Sequence, residues 1–153
     1  MEKSQSIQIL GLILGWIIVH VLSSRRDIDK ARREMIAKAA DGLNDEVAKI
    51  FVAAKEYHTT ERDVSLEDSL KMSLQDISIR TALLGRVCPD EMELKACSRA
   101  VLELKKSISG DHFEDEHTGP LPDSVNQIKT IVDCVLRAKR AFLELKLKQF
   151  PAR

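Results

Sequence analysis

The longest apolar run in the chain lies near its N-terminus. From Ile7 to Leu22 every residue is apolar or weakly polar except Gln8 and His20. As a helix this run rises roughly 24 Å, and uncharged serines on both sides extend it toward the ~30 Å of a hydrocarbon core. Five basic residues follow: Arg25, Arg26, Lys30, Arg32 and Arg33. By the positive-inside rule, the pattern predicts a single transmembrane span over residues 1–24, with the N-terminus outside and a cytoplasmic domain over residues 25–153. The predicted location is the inner (plasma) membrane.

A cleaved signal peptide is the alternative interpretation of the same run. Signal peptides have a basic start, a shorter apolar core and small residues before the cleavage site. Here the core is longer, and Val21-Leu22-Ser23 followed by arginines is a poor cleavage site. The pattern therefore favours a retained anchor.

Small and polar residues share one face of the predicted span. Gly11 and Gly15 form a small-xxx-small pair, which lets two helix backbones approach closely. Gln8 on the same face requires a hydrogen-bond partner in hydrocarbon, and a second copy of the chain can provide one. We therefore predict a homo-oligomer whose spans associate through one stripe: Ser4, Gln8, Gly11, Gly15, Val19 and Leu22.

The basic cluster that follows the span has two interpretations. Topology determination and contact with the anionic headgroups of the lipid bilayer account for its charges. If several spans surround an axis, the same cations form a ring that can hold a phosphate-rich ligand or select ions. Lipid or ligand contact is thus predicted at Arg25, Arg26, Lys30, Arg32 and Arg33.

Beyond Ser24 the apolar positions recur at helical spacing. They predict either one long helix toward Tyr57 or two pieces with a kink at Gly42, and a break over residues 59–63. A second helix is expected to start at a capping-box-like Ser65, and a third at Pro89 and Asp90. Gly110 and an acidic loop precede a fourth helix, whose predicted inner face is Val125, Ile128, Val132, Val135, Phe142 and Leu145.

These elements predict an all-α fold: one N-terminal transmembrane helix that continues into a cytoplasmic antiparallel helical bundle. Composition agrees, because aromatic residues make up only 4% of the chain and Gly and Pro are few. The 24 basic and 24 acidic residues cancel, so net charge does not drive the chain onto nucleic acid or lipid.

Candidate chemistry is sparse. Cys88, Cys97 and Cys134 lack metal-ligand or redox spacing and are expected to be reduced thiols on helix faces. His112 and His117 share an acidic loop, where a metal site would need a second pair of ligands that the loop does not offer. We therefore predict a non-enzyme, with no catalytic residue, no cofactor and no metal.

Two functions are compatible with this organisation. The first is a homo-oligomeric membrane channel or pore-type effector, gated through its helical domain by a nucleotide or oligonucleotide ligand. The second is a membrane-tethered adaptor whose helical module binds partner proteins. The expected partners are accordingly the bilayer, further copies of the chain, and a nucleic-acid or protein regulator.

In layout the chain resembles the small transmembrane effectors of bacterial anti-phage defence systems, in particular the Hailong-type channel effector. The resemblance covers the span over Ile7–Leu22, the basic segment Arg25–Arg33 and the bundle from Ile28 onward, without a diagnostic motif. It implies an oligomeric channel that depolarises the membrane and arrests growth, with a nucleic-acid ligand on basic residues.

Overall fold

Four helices make up the described part of the chain. The computed structural model describes residues 2–110, 113, 114, 119 and 124–150, and before residue 19 it describes the side chain of Trp16 alone. The helices are α1 (Glu2–Thr59), α2 (Val64–Leu84), α3 (Glu91–Ile108) and α4 (Ser124–Lys148). No residue of these ranges lies in a strand. The predicted all-α class is therefore confirmed.

The chain divides into two compact units, residues 1–35 and residues 36–153. Helix α1 contributes residues to both. In the first unit, the rings of Trp16 and His20 stack with their centroids 5.4 Å apart. The second unit holds the hydrophobic core. The predicted division between residues 24 and 25 stays a prediction.

The core forms because each helix of the second unit buries one apolar face. The α1 face repeats every three or four residues, which is the spacing that places side chains on one side of a helix. Its buried members are Ile36, Ala40, Leu43, Val47, Ile50, Ala54 and Tyr57. They share the core with apolar side chains of α2, α3 and α4, including Leu70, Ile77, Leu104, Ile131 and Phe142.

Aspartates cap two of the helices. Asp63 precedes α2, and its Oδ1 accepts hydrogen bonds from the backbone N–H groups of Ser65 at 2.8 Å and Leu66 at 3.3 Å. Asp90 precedes α3 and accepts from the N–H of Glu93 at 3.3 Å. Both satisfy N–H groups that have no partner within the helix. The predicted starts at Ser65 and Pro89 are thus wrong by one or two residues, because an aspartate nearby takes the cap position.

Helices α3 and α4 are antiparallel. At one end, Lys148 of α4 pairs with Glu93 and lies 3.6 Å from Asp90, both at the start of α3. At the other end, the side-chain amide of Gln127 donates to the carbonyl of Ser107. Polar contacts therefore hold this helix pair in register at both of its ends.

Helix α1 continues through Gly42 without a break. A Cβ atom at this position would lie 3.2 Å from the Arg80 guanidinium of α2. Gly42 thus permits a close approach of the Arg80 side chain, and it does not end the helix. Nearby, Lys146 Nζ of α4 pairs with Asp41 Oδ1 of α1 at 2.8 Å.

The predicted membrane span requires correction. Over the described residues, no helix is sufficiently long and apolar to cross a bilayer. The predictions of a single-pass membrane protein, an ion channel and an inner-membrane location are therefore wrong on this finding.

Truncation of a core leucine tests the packing. Leu104 of α3 is fully buried, so Leu104→Ala is expected to lower the free energy of unfolding by about 2–5 kcal/mol through lost burial and a residual cavity. The matched control is Leu102→Ala, on the same helix at a position that is half exposed, with an expected loss of under about 1 kcal/mol. Urea unfolding followed by circular dichroism measures both. Equal losses would contradict the assigned inner face of α3.

Candidate functional site

The predicted self-association stripe does not form a described site. Val19 and Leu22 are exposed on α1. The side chains of Ser4, Gln8, Gly11 and Gly15 lie outside the described residues. The stripe consequently stays a prediction.

The predicted basic cluster is exposed along α1 and interleaved with acids. Lys30 Nζ lies 3.9 Å from the Glu34 carboxylate, and Arg33 Nε donates to the carbonyl of Asp29 at 3.3 Å. Asp27, Asp29 and Glu34 offset part of the positive charge. Helical geometry also spreads the five cations over a wide arc of α1, which weakens their field at any one point. Their role in lipid or ligand contact stays a prediction.

Buried charge concentrates at the start of α2. Glu67 is 3% exposed, and its two carboxylate oxygens accept from Arg62 Nε at 3.1 Å and Lys71 Nζ at 2.8 Å. Burial by itself raises the pKa of this carboxyl, but the hydrogen bonds from Lys71 and Arg62 outweigh it and the net pKa is lowered. Both oxygens are occupied by cations, so this carboxylate is held ionised and is a poor proton acceptor.

The same lysine connects α2 to the loop after α3. Lys71 also pairs with Glu114, and its Nζ lies 5.8 Å from the centre of the Phe113 ring. Hydrogen bonds from Lys71 to Glu114 and Glu67 raise the pKa of Lys71 above its ordinary value. The Phe113 ring packs 5.0 Å from the ring of Tyr57, whose hydroxyl accepts from the Glu114 N–H at 3.0 Å. These contacts attach Phe113 and Glu114 to α1 and α2, which is a structural role.

The three cysteines are free and buried, as expected for reduced thiols. Burial raises the pKa of Cys97 to about 12, with a smaller contribution from the nearby Glu93 carboxylate. A neutral, inaccessible thiol is a weak nucleophile and a poor metal ligand. Among the described residues, no group of three or more His, Cys, Asp or Glu side chains is placed to hold a metal ion. His112 and His117 lie outside those residues.

An open groove of about 350 Å³ separates α2 from α3. The hydroxyls of Ser78 and Thr81 both donate to carbonyls of their own helix, at 2.7 Å. Lys105 supplies the positive charge at its edge. The remaining lining is small or apolar: Ala82, Ser98, Val101 and Leu102. The hydroxyl protons of Ser78 and Thr81 are thus already used within α2, and Lys105 is the one charged side chain in this lining.

Helix α4 presents a second apolar face, directed away from the core. Its buried residues include Ala138, Phe142 and Leu145. The outward apolar residues lie about 180° away around the helix axis and recur at intervals of eleven, seven and four residues, which keeps them on one line. They are Val125, Leu136, Leu143 and Leu147, with exposed fractions of 78%, 60%, 48% and 59%.

We call these four residues the outer stripe of α4. It extends about 33 Å along the helix, at 1.5 Å per residue. The half-buried Val132 lies beside it. Four charged, exposed side chains form what we call its charged border: Lys129 lies on the line of the stripe between Val125 and Leu136, and Asp133, Arg140 and Glu144 lie along one side of it. A helix that is apolar on two opposite faces requires two partners, and the core provides only one of them.

The outer stripe was not predicted from the sequence, because the two apolar faces of α4 were not distinguished. Of the six predicted inner residues, Val135, Phe142 and Leu145 are buried, whereas Ile128 and Val132 are half-buried and Val125 is exposed. Placing the apolar residues of 124–148 on a helical projection would have separated the two faces.

No family model, no curated protein and no solved structure matches this chain. The resemblance in layout to anti-phage effectors therefore stays a prediction.

Removal of the Glu67 charge tests the ion-pair cluster. Because the folded-state pKa is lowered from the ordinary 4.5, this carboxylate stabilises the fold above about pH 4.5, and its contribution is lost as pH falls through the folded-state pKa. Glu67→Gln is expected to lower the free energy of unfolding by about 1–3 kcal/mol at neutral pH. The difference from wild type should shrink in acid.

The matched control is Asp68→Asn, at the neighbouring exposed position, with an expected change within about 0.5 kcal/mol. Urea titrations at several pH values measure both variants. If Glu67→Gln lowers the free energy of unfolding equally below the folded-state pKa, then the packing of the Glu67 side chain, and not its charge, stabilises the start of α2.

Proposed function

We propose that this chain is a non-enzymatic helical protein-interaction module that binds another protein chain through the outer stripe of α4. The observation that carries the proposal is the arrangement of four exposed apolar side chains in one line, on the face opposite the core. Recognition of this kind uses residues one or two turns apart as anchors, with polar residues at the edge.

The outer stripe is the longest line of this kind on the described helices of the second unit. Helix α2 also exposes apolar residues in a line, Met72, Ile79 and Leu83. That line spans eleven residues, or about 17 Å, which is half the length of the outer stripe. Docking area grows with length, so α4 offers the larger contact.

Charge is also arranged to favour a protein partner. Lys129, Asp133, Arg140 and Glu144 alternate in sign along the edge of the outer stripe. A nucleic acid would select a uniformly basic edge, and alternation of this kind repels it as often as it attracts it. A second helix with the complementary alternation satisfies every one of these charges.

Site-specific crosslinking tests the proposal. A photoreactive amino acid at Leu143, in the full chain expressed in cells, is expected to yield adducts with a protein, whether a second copy or a different chain. The matched control position is Met72, which is exposed on α2. Mass spectrometry identifies each adduct, and binding is then measured with purified components.

Leu143→Glu should weaken that binding about tenfold or more, because it loses apolar burial and brings a carboxylate into the contact. Met72→Glu should leave it unchanged. The absence of protein adducts at Leu143, or equal adduct yields at both positions, would refute the proposal.

A further inference from the structure

The apolar and charged positions of α4 are arranged symmetrically about its centre. Val125 and Leu147 lie eleven residues on either side of Leu136. Two copies of α4 aligned antiparallel about Leu136 therefore place Val125 of each copy opposite Leu147 of the other, with the two Leu136 side chains at the two-fold axis. Val132 and Leu143 come within about three residues of the same level, a shift of about 4.5 Å along the axis.

The charged border residues are arranged about nearly the same centre, and equivalent positions on its two sides carry opposite charges. Lys129 and Glu144 are equidistant from a point between residues 136 and 137, and so are Asp133 and Arg140. In an antiparallel pair, Lys129 faces Glu144 of the second copy and Asp133 faces Arg140. All four side chains are exposed. A two-fold axis makes each of these pairs occur twice, so the contact has four opposite-charge pairs.

We infer that the occupant of the outer stripe is a second copy of this chain, bound antiparallel about a two-fold axis through Leu136. The inference rests on the proposed function and specifies its partner. Spacing and charge support it independently, because the apolar residues and the charged residues separately have their centres of symmetry within one residue of each other.

The size of the contact determines the expected affinity of the dimer. A single pair of helices about 33 Å long and about 10 Å wide buries less than the about 800 Å² per partner of a standard interface. We therefore expect a reversible dimer with a dissociation constant in the micromolar range. Within one copy, Arg140 Nε already donates to Glu144 Oε1 at 2.9 Å, so this arginine would sit between two carboxylates in the dimer.

Charge reversal provides a decisive test in the full-length chain. Asp133→Arg places two arginines together at each end of the symmetric contact, and Arg140→Asp places two aspartates together. Each variant alone is expected to weaken dimerisation about tenfold or more, as measured by sedimentation equilibrium. An equimolar mixture of the two variants restores both pairs as Arg with Asp, so heterodimers should form within about threefold of wild-type affinity.

Disulfide trapping reports the orientation. Leu136→Cys should crosslink to itself under mild oxidation, because the residue lies at the axis, and the three native cysteines are buried. Val125→Cys should not self-crosslink but should crosslink when mixed with Leu147→Cys. Circular dichroism and urea unfolding confirm that each variant is folded, which is expected because all substituted positions are exposed.

The outcomes separate this inference from the proposed function. A chain that is monomeric at all concentrations, or a charge-reversed mixture that fails to restore association, overturns the antiparallel dimer. Self-crosslinking at Val125 overturns the orientation. If Leu143 then still forms adducts with a different protein, the proposed interaction module stands without the dimer; if it forms none, both fail.

Discussion

The burial of one continuous face of α1 is the constraint on which the second unit depends. From Ile36 to Tyr57 this face contributes a buried side chain at nearly every turn, and α2, α3 and α4 pack against it. An amphipathic helix gains most of its stability from such packing. Ion pairs then favour one packing arrangement of these helices. Lys146 of α4 pairs with Asp41 of α1, and Lys148 of α4 pairs with Glu93 at the start of α3. The register of α4 on the core also determines which residues face outward.

Much of this architecture could be predicted from spacing alone. The all-α class follows from helical periodicity, and the end of α1 falls at Thr59, where the pattern breaks. The helix starts were less accurate. Asp63 competes with Ser65 for the cap of α2, and a carboxylate is as good a cap as a hydroxyl. Pro89, predicted at the first helical position of α3, instead precedes the cap residue Asp90. The sequence did not decide whether the helix continues through Gly42, because a glycine in a helical pattern indicates either a helix break or the close approach of another residue. The neighbour, Arg80, comes from a distant part of the sequence.

The candidate site was less predictable for a physical reason. Local spacing identifies apolar faces, but which face of a helix becomes core depends on what packs against it. Helix α4 has two apolar faces, and Val125 and Phe142 belong to opposite ones. The self-association stripe was instead predicted between Ser4 and Leu22, where composition is most apolar. Composition indicates how much apolar surface exists, whereas only the fold determines which part of it stays exposed after the core has formed.

Alternating charge beside the outer stripe also explains how such a surface can be specific. An exposed apolar line would associate with any apolar surface, in either orientation, if nothing opposed the wrong contacts. All four charged residues project within about 20–80° of Leu136 on the same side of the helix, so a parallel pair of α4 helices places the charges of the two copies on opposite edges of the contact, where they do not pair. In the antiparallel pair all four attract. The apolar residues therefore supply the driving force, and Lys129, Asp133, Arg140 and Glu144 determine the orientation, because their charges pair only in the antiparallel arrangement.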